Sequence, residues 1–160
     1  MYVPWRRVFS WHCSACGECC LKYKPKLTFY EYLKLKHTGF VEERANRYYI
    51  RKVNGKCPFQ EGRLCTLQEN KPLACKVFPF LVKKNAKDEL ALYEYEGEEF
   101  YVYVATDCRN TVLAKKPTER LEKLVREAVE LVLGKKRKVE EITCKTENLN
   151  FWKTPKKRCR

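Results

Sequence analysis

The sequence predicts an α+β fold: a small cysteine-rich domain with short hairpins, one helix in its N-terminal half and an amphipathic helix toward its C-terminal end. Three observations carry this expectation. A capping-box signature opens an apolar run at Thr28, two glycine-containing turns each separate strand-like runs, and a helical period covers residues 117–134. The chain has 160 residues, which fits one domain, or one domain with a tail.

Taken in order, residues 1–12 are an aromatic and basic lead-in to the dense block Cys13-Ser14-Ala15-Cys16-Gly17-Glu18-Cys19-Cys20, for which a loop with one permissive glycine is the natural host. Past Pro25, Thr28 can accept from the amide of Glu31 while Glu31 reaches back, so a helix starts there and runs through Leu33 and Leu35 toward Gly39. Tyr48-Tyr49-Ile50-Arg51-Lys52-Val53, then Asn54-Gly55, then Lys56-Cys57 predicts a hairpin, because Asn-Gly suits the positive φ angles of a tight primed turn. Residues 57–80 hold three prolines and little periodicity and read as irregular structure that needs an external constraint. Leu90–Tyr95 and Phe100–Val104 flank Glu96-Gly97-Glu98 as a second hairpin, which delivers Cys108 at its exit. Pro117-Thr118-Glu119-Arg120 opens the last helix, with Leu121, Leu124, Val125, Ala128, Val129 and Val132 on its core face and Gly134 as its stop. Beyond it, Lys135-Lys136-Arg137-Lys138 and Lys156-Lys157-Arg158-Cys159-Arg160 read as an exposed tail, so residues 1–134 form the cysteine-cluster domain and residues 135–160 a basic C-terminal tail.

Composition excludes several classes. Hydrophobic residues make up 44% and charged residues 34%, unlike a disordered polymer, and no apolar stretch reaches the ~18 residues that cross a bilayer. The opening residues lack an apolar secretory core, which predicts a cytoplasmic protein. One Met, two Gln and abundant Lys and Glu lean toward a thermophilic composition. The net charge is +14, and residues 135–160 supply half of it with 10 basic and 3 acidic side chains. Such a tail attracts nucleic acid, anionic lipid or an acidic protein, and charge by itself does not choose among them.

Ten cysteines serve as disulfides, redox thiols or metal ligands, and a reducing compartment disfavours the first. Spacing favours the third. Two cysteines separated by two residues can converge on one ion inside a single tight turn, and the block at 13–20 contains overlapping pairs of this kind. Cys13, Cys16 and Cys19 have the spacing of three close ligands of a ferredoxin-type iron-sulfur loop, with Cys57 before Pro58 as a remote fourth; the same pairs suit zinc equally. Cys19 and Cys20 are adjacent, and in an extended segment their side chains diverge, which points to two sites. With Cys20, Cys57, Cys65, Cys75 and Cys108 the chain has thiols enough for two four-thiolate sites, without a defined partition. Cys144 and Cys159 fit no ligand pattern, and His12, although next to Cys13, is poorly directed toward its neighbour's metal. The predicted cofactor is therefore an iron-sulfur cluster or zinc, at one or two sites. The same thiols could equally act only as staples of an irregular fold.

The pattern resembles the CxxCxxCC cysteine-cluster family of YkgJ-like zinc- or iron-chelating domains. The carriers are Cys13 to Cys20 as written above, Leu27-Thr28 with Glu31, Gly55-Lys56-Cys57-Pro58-Phe59, Gly62-Arg63-Leu64-Cys65, Lys71-Pro72-Leu73-Ala74-Cys75 and Phe78-Pro79-Phe80, over roughly residues 10–110. The resemblance implies Cys13, Cys16, Cys19, Cys20, Cys57, Cys65 and Cys75 as the chelating set. It extends to Cys108 less closely, because Arg109-Asn110 follows where the family has a glycine-containing sequence. Lys71-Pro72 and Cys75-Lys76 stand where Arg-Pro and Cys-Arg are usual, which keeps charge and loses forked hydrogen bonding.

Two further readings follow from other features. The family includes flagellin lysine-N-methylases, so a protein lysine N-methyltransferase is one alternative, although the six glycines form no Gly-x-Gly-x-x-Gly turn. A basic RNA-binding module on a metal-stapled scaffold is the other, drawn from ten Tyr, eight Phe and three Trp beside excess Lys and Arg. Whether the chain is an enzyme is left open by its sequence.

Overall fold

A computed structural model describes residues 1–142 of the chain. Cys144, Cys159 and the part of the expected basic tail from 143 to 160 lie outside the described residues. In chain order the elements are β1 (Tyr2–Pro4), β2 (Val8–Ser10), α1 (Glu18–Lys22), β3 (Lys26–Leu27), α2 (Phe29–Leu35), β4 (Val41–Arg44) and β5 (Arg47–Ile50). They continue as β6 (Gln60–Glu61), β7 (Leu64–Cys65), α3 (Leu73–Val77), β8 (Phe80–Lys83), β9 (Leu92–Tyr95), β10 (Glu98–Ala105), β11 (Val112–Leu113) and α4 (Glu119–Val132). The class is α+β, as the sequence predicts. No helix among the described residues is long and apolar enough to cross a membrane. Contacts divide the chain into two compact units, residues 1–15 with those from 77 onward, and the segment 16–76.

The first unit is built around β10. Its residues alternate, with Phe100, Val102 and Val104 buried and Tyr101 and Tyr103 half-buried, the period-2 pattern of a strand with one core face. Strand β8 pairs antiparallel along one edge, and β9 and β1 share the other in succession. The expected turn at Glu96-Gly97 joins β9 to β10, both turn residues having positive φ. Strands β2 and β11 form a separate two-stranded sheet. Thr118 caps α4 by accepting from the Leu121 amide at 3.2 Å, and the helix packs on β8 and β2.

Two expectations change here. Residues 1–12 are no mere lead-in: β1 joins the main sheet, and Trp5, Val8 and Trp11 are core residues. On α4 the core face includes Leu131 and Glu127, whereas Val132 is 39% exposed. The reason lies past the helix. The chain folds back so that the amides of Glu140, Glu141 and Ile142 donate to the Glu127 carboxylate at 2.7, 2.9 and 2.7 Å, and Ile142 is fully buried. Lys136, 3.0 Å from the same carboxylate, offsets the charge of this 2% exposed group.

The segment 16–76 carries a small sheet in the order β3-β5-β4, the β6–β7 hairpin, and helices α1, α2 and most of α3. Helix α2 starts at the predicted capping box: Glu31 N–H donates to Thr28 Oγ1 at 3.2 Å, and Thr28 N–H donates to Glu31 Oε2 at 2.8 Å. The hairpin predicted across Asn54-Gly55 is reduced to a turn. Both residues have positive φ (49° and 76°), yet only Val53 and Lys56 bridge across it. Pro58, one residue past Cys57, has no amide to extend a ladder, so β5 pairs backward with β4 through Ala45-Asn46 and, on its other edge, with β3. The supposedly irregular 57–80 stretch contains β6, β7 and α3.

Candidate metal centre

The cysteine block is set by Gly17, whose φ of 76° makes it the left-handed N-cap of α1. An added Cβ would lie 2.6 Å from Gln60 Nε2 and 3.2 Å from Arg63 Cα, so only glycine fits. Gln60 Nε2 donates to the carbonyls of Gly17 (3.2 Å) and Gly62 (3.1 Å), pinning this turn to the hairpin whose second strand carries Cys65. Gln60 Oε1 is buried without a partner among the described residues. The Cys57 amide donates to the Cys20 carbonyl at 3.2 Å, which brings the start of the 57–65 segment against α1. Glu31 has a second role: its Oε1 accepts from the Leu73 amide at 2.7 Å, tying the N-terminus of α3, and with it Cys75, to α2.

The thiols meet where these ties converge. The Cys20 sulfur lies within hydrogen-bonding reach of those of Cys19 and Cys57, so its one S–H can be given to either neighbour. Hydrogen bonding to Cys20 holds the Cys19 thiol down at about 7 and the Cys57 thiol at about 6, whereas the same contacts push Cys20 far up. Desolvation raises Cys65 and Cys75, and the charges of Cys65, Cys19 and Cys57 raise Cys75 further. Lys71 lies close enough to favour the thiolates of Cys19, Cys65 and Cys75, and Lys52 that of Cys57. Lys52 also donates to the Leu21 carbonyl at the end of α1. The adjacent pair therefore does not diverge. Cys19 and Cys20 sit on a helical turn instead of an extended segment, so their adjacency no longer argues for two sites.

Cys16 belongs to this same unit, directly before Gly17. Cys13 and Cys108 belong to the other, where Asn110 Nδ2 donates to Ser14 Oγ at 2.7 Å and so joins the residue after Cys13 to the turn that carries Cys108. Trp11 Nε1 donates to Cys108 Sγ at 3.3 Å. His12 is exposed.

The donor chemistry suits a soft metal: sulfurs only, two of them biased toward thiolate, with lysines to offset the negative charge of a thiolate site. Thiols that hydrogen-bond lie at about the sulfur-to-sulfur spacing of thiolates on one tetrahedral ion, ~3.8 Å for zinc–sulfur bonds of ~2.3 Å. Among the described residues no group of three or more His, Cys, Asp or Glu side chains is arranged so that it could hold a metal ion. Ligation there would require the cysteine side chains to rearrange.

Residues 12–109 match the model of CxxCxxCC, described as a putative zinc- or iron-chelating domain. The chain belongs to the CxxCxxCC family. It is a metal-binding cysteine-cluster protein in the sense of that description, and the match spans all eight predicted ligand cysteines. The chain matches none of the curated proteins and none of the solved structures compared with it.

Sequence reasoning missed Glu31 as the tether of α3, Gln60 as the clamp on Gly17, Lys52 and Lys71 as the local cations, and Trp11 as a donor to Cys108. The capping box explained Glu31 locally, and only its second oxygen reveals the long-range bond. The others leave no sequence signal, because each depends on which segments the fold brings together.

Proposed function

We propose that Cys19, Cys20, Cys57, Cys65 and Cys75 form the main chelating centre of this CxxCxxCC protein, with Cys16 of the same unit as a further ligand, and that Cys13 and Cys108 belong to a second site. The observation that carries the reading is the approach of Cys57 to Cys20, fixed by the Cys57 amide on the Cys20 carbonyl at 3.2 Å, which brings three thiols from two distant segments close enough to bear on one another's ionisation. Zinc held there supplies a structural cross-link; an iron-sulfur cluster supplies a one-electron redox centre. The chain's own residues gather the thiols, offset their charge through Lys52 and Lys71, and fix α1 and α3 through Gly17 and Glu31. In this reading residues 1–134 form the chelating part, the basic charge of residues 135–160 that Glu96, Glu127 and Glu140 do not take serves an anionic partner, and the protein works in the reducing cytoplasm.

Anaerobic purification followed by quantitation of zinc, iron and acid-labile sulfide, with an absorption spectrum on the same sample, tests it. Iron and sulfide in near-equal amounts with absorption near ~400 nm identify a cluster, and one or two colourless zinc ions per chain identify a staple. Retained metal should fall on Cys20→Ser and Cys57→Ser substitution. A fully reduced, folded chain that binds neither metal overturns the proposal.

A further inference from the structure

Outside the thiol cluster, the segment 16–76 exposes aromatic rings at one end of its small sheet and, from the opposite sheet face at the same end, two arginines without an ion pair among the described residues. Phe29 and Tyr30, in the first turn of α2, are 58% and 66% exposed. Phe29 is backed by a ring stack: it lies 5.6 Å from Tyr48, which stacks on Tyr32 at 4.3 Å. The Lys34 ammonium sits 4.6 Å over the Tyr30 ring. The same end of the sheet carries the β4–β5 hairpin tip, because the β3–β5 register, extended by one residue from Leu27 opposite Tyr48, places Thr28 opposite Arg47. Arg44 and Arg47 are direct cross-strand partners, both exposed, and neither is in an ion pair among the described residues. Like charges directly opposite cost stability, and an anion held between them removes that cost.

The charge balance agrees. Residues 16–76 contain 13 basic and 6 acidic side chains. Of the carboxylates, Glu31 is taken by backbone amides, Glu18 by Lys22 and Glu42 by Lys24; Glu43, opposite Tyr48, is the exposed one at this end.

We propose that this end of the sheet binds single-stranded nucleic acid, with Phe29 and Tyr30 stacking on bases and Arg44, Arg47 and Lys34 holding phosphates. Flat apolar rings alternating with anions along one flexible chain match both features, since such a chain can pass round the end of the sheet from the rings to the arginines. An acidic peptide would use the arginines and leave the rings idle, and an apolar helix would do the reverse. A duplex hides its base faces, so the partner is single-stranded. The inference is independent of whether the thiols hold metal.

The test is fluorescence anisotropy of the full chain with labelled twelve-nucleotide oligo-U RNA and oligo-T DNA, each against salt. Phe29→Ala with Tyr30→Ala should weaken binding about 10-fold or more, an effect of the size expected when stacking is lost. Arg44→Ala with Arg47→Ala should flatten the salt dependence, reducing the slope of log K against log salt by about 1.4 for two lost phosphate contacts. All four side chains are on the surface, and circular dichroism verifies that the variants fold. Because differences between variants are read, charge in residues 135–160 cancels. Preference for the RNA or the DNA arm names the source. The proposal is overturned if the unaltered chain fails to bind at ~0.1 mM in low salt, if the aromatic variant binds as tightly as the unaltered chain, or if polyglutamate competes as well as an oligonucleotide of equal charge.

Discussion

The two units reach order by different means. The unit around β10 and α4 buries a contiguous apolar set that includes Phe100, Val102, Val104, Leu121, Leu124, Val125 and Val129. The segment 16–76 has a core of four buried hydrophobic residues, Leu27, Ile50, Cys57 and Phe59, with half-buried side chains around them and strands mostly two to four residues long. So small a core offsets little of the ordering entropy of the segment, and six of the eight described cysteines lie within it. Thiols collect where apolar burial is thinnest, which is where cross-linking by a metal contributes most.

That contrast can be broken most directly by removing metal. On chelation under reducing conditions, hydrogen exchange in residues 16–76 should accelerate more than about 100-fold, while amides of β10 and α4 stay protected. Equal loosening of both units would dissolve the comparison. Next in size, Phe100→Ala should cost the β10 unit about 3–5 kcal/mol by opening a cavity beside a fully buried ring, measured by chemical denaturation. It should leave the metal content per folded chain unchanged. Smaller still, Gly17→Ala should cost about 1–3 kcal/mol through its left-handed φ and the clash with Gln60 and Arg63. Its effect should fall on residues 16–76, read as faster proteolysis of that segment and reduced metal retention, with exchange from β10 unaltered.

What was legible in the sequence was local. Thr28 and Glu31 cap a helix through contacts three residues apart, Glu96-Gly97 closes a hairpin between neighbouring strands, and the face of α4 repeats at its own helical period. The cysteine spacing and the family motifs likewise named the residues of the candidate site before any coordinates. The pairing of β5 was misread because Ala45 adopts a positive φ without any propensity for it, while Asn54-Gly55 advertises a turn whose second arm is cut short by Pro58. The core face of α4 was legible at Leu121, Leu124, Val125, Ala128 and Val129, but not at Glu127, which is buried by amides 13 to 15 residues away.

By itself, then, the sequence determined the α+β class, the helix starts, the second hairpin, the soft-donor chemistry and the family, all of which rest on neighbours along the chain. Only the tertiary structure decided that Cys19 and Cys20 converge with Cys57, that Glu31 holds the helix of Cys75, and that Trp11 serves Cys108. Spacing fixes which thiols can share a turn; which distant turns meet is settled by packing, and residues 37 or more apart carry no local signal of their encounter.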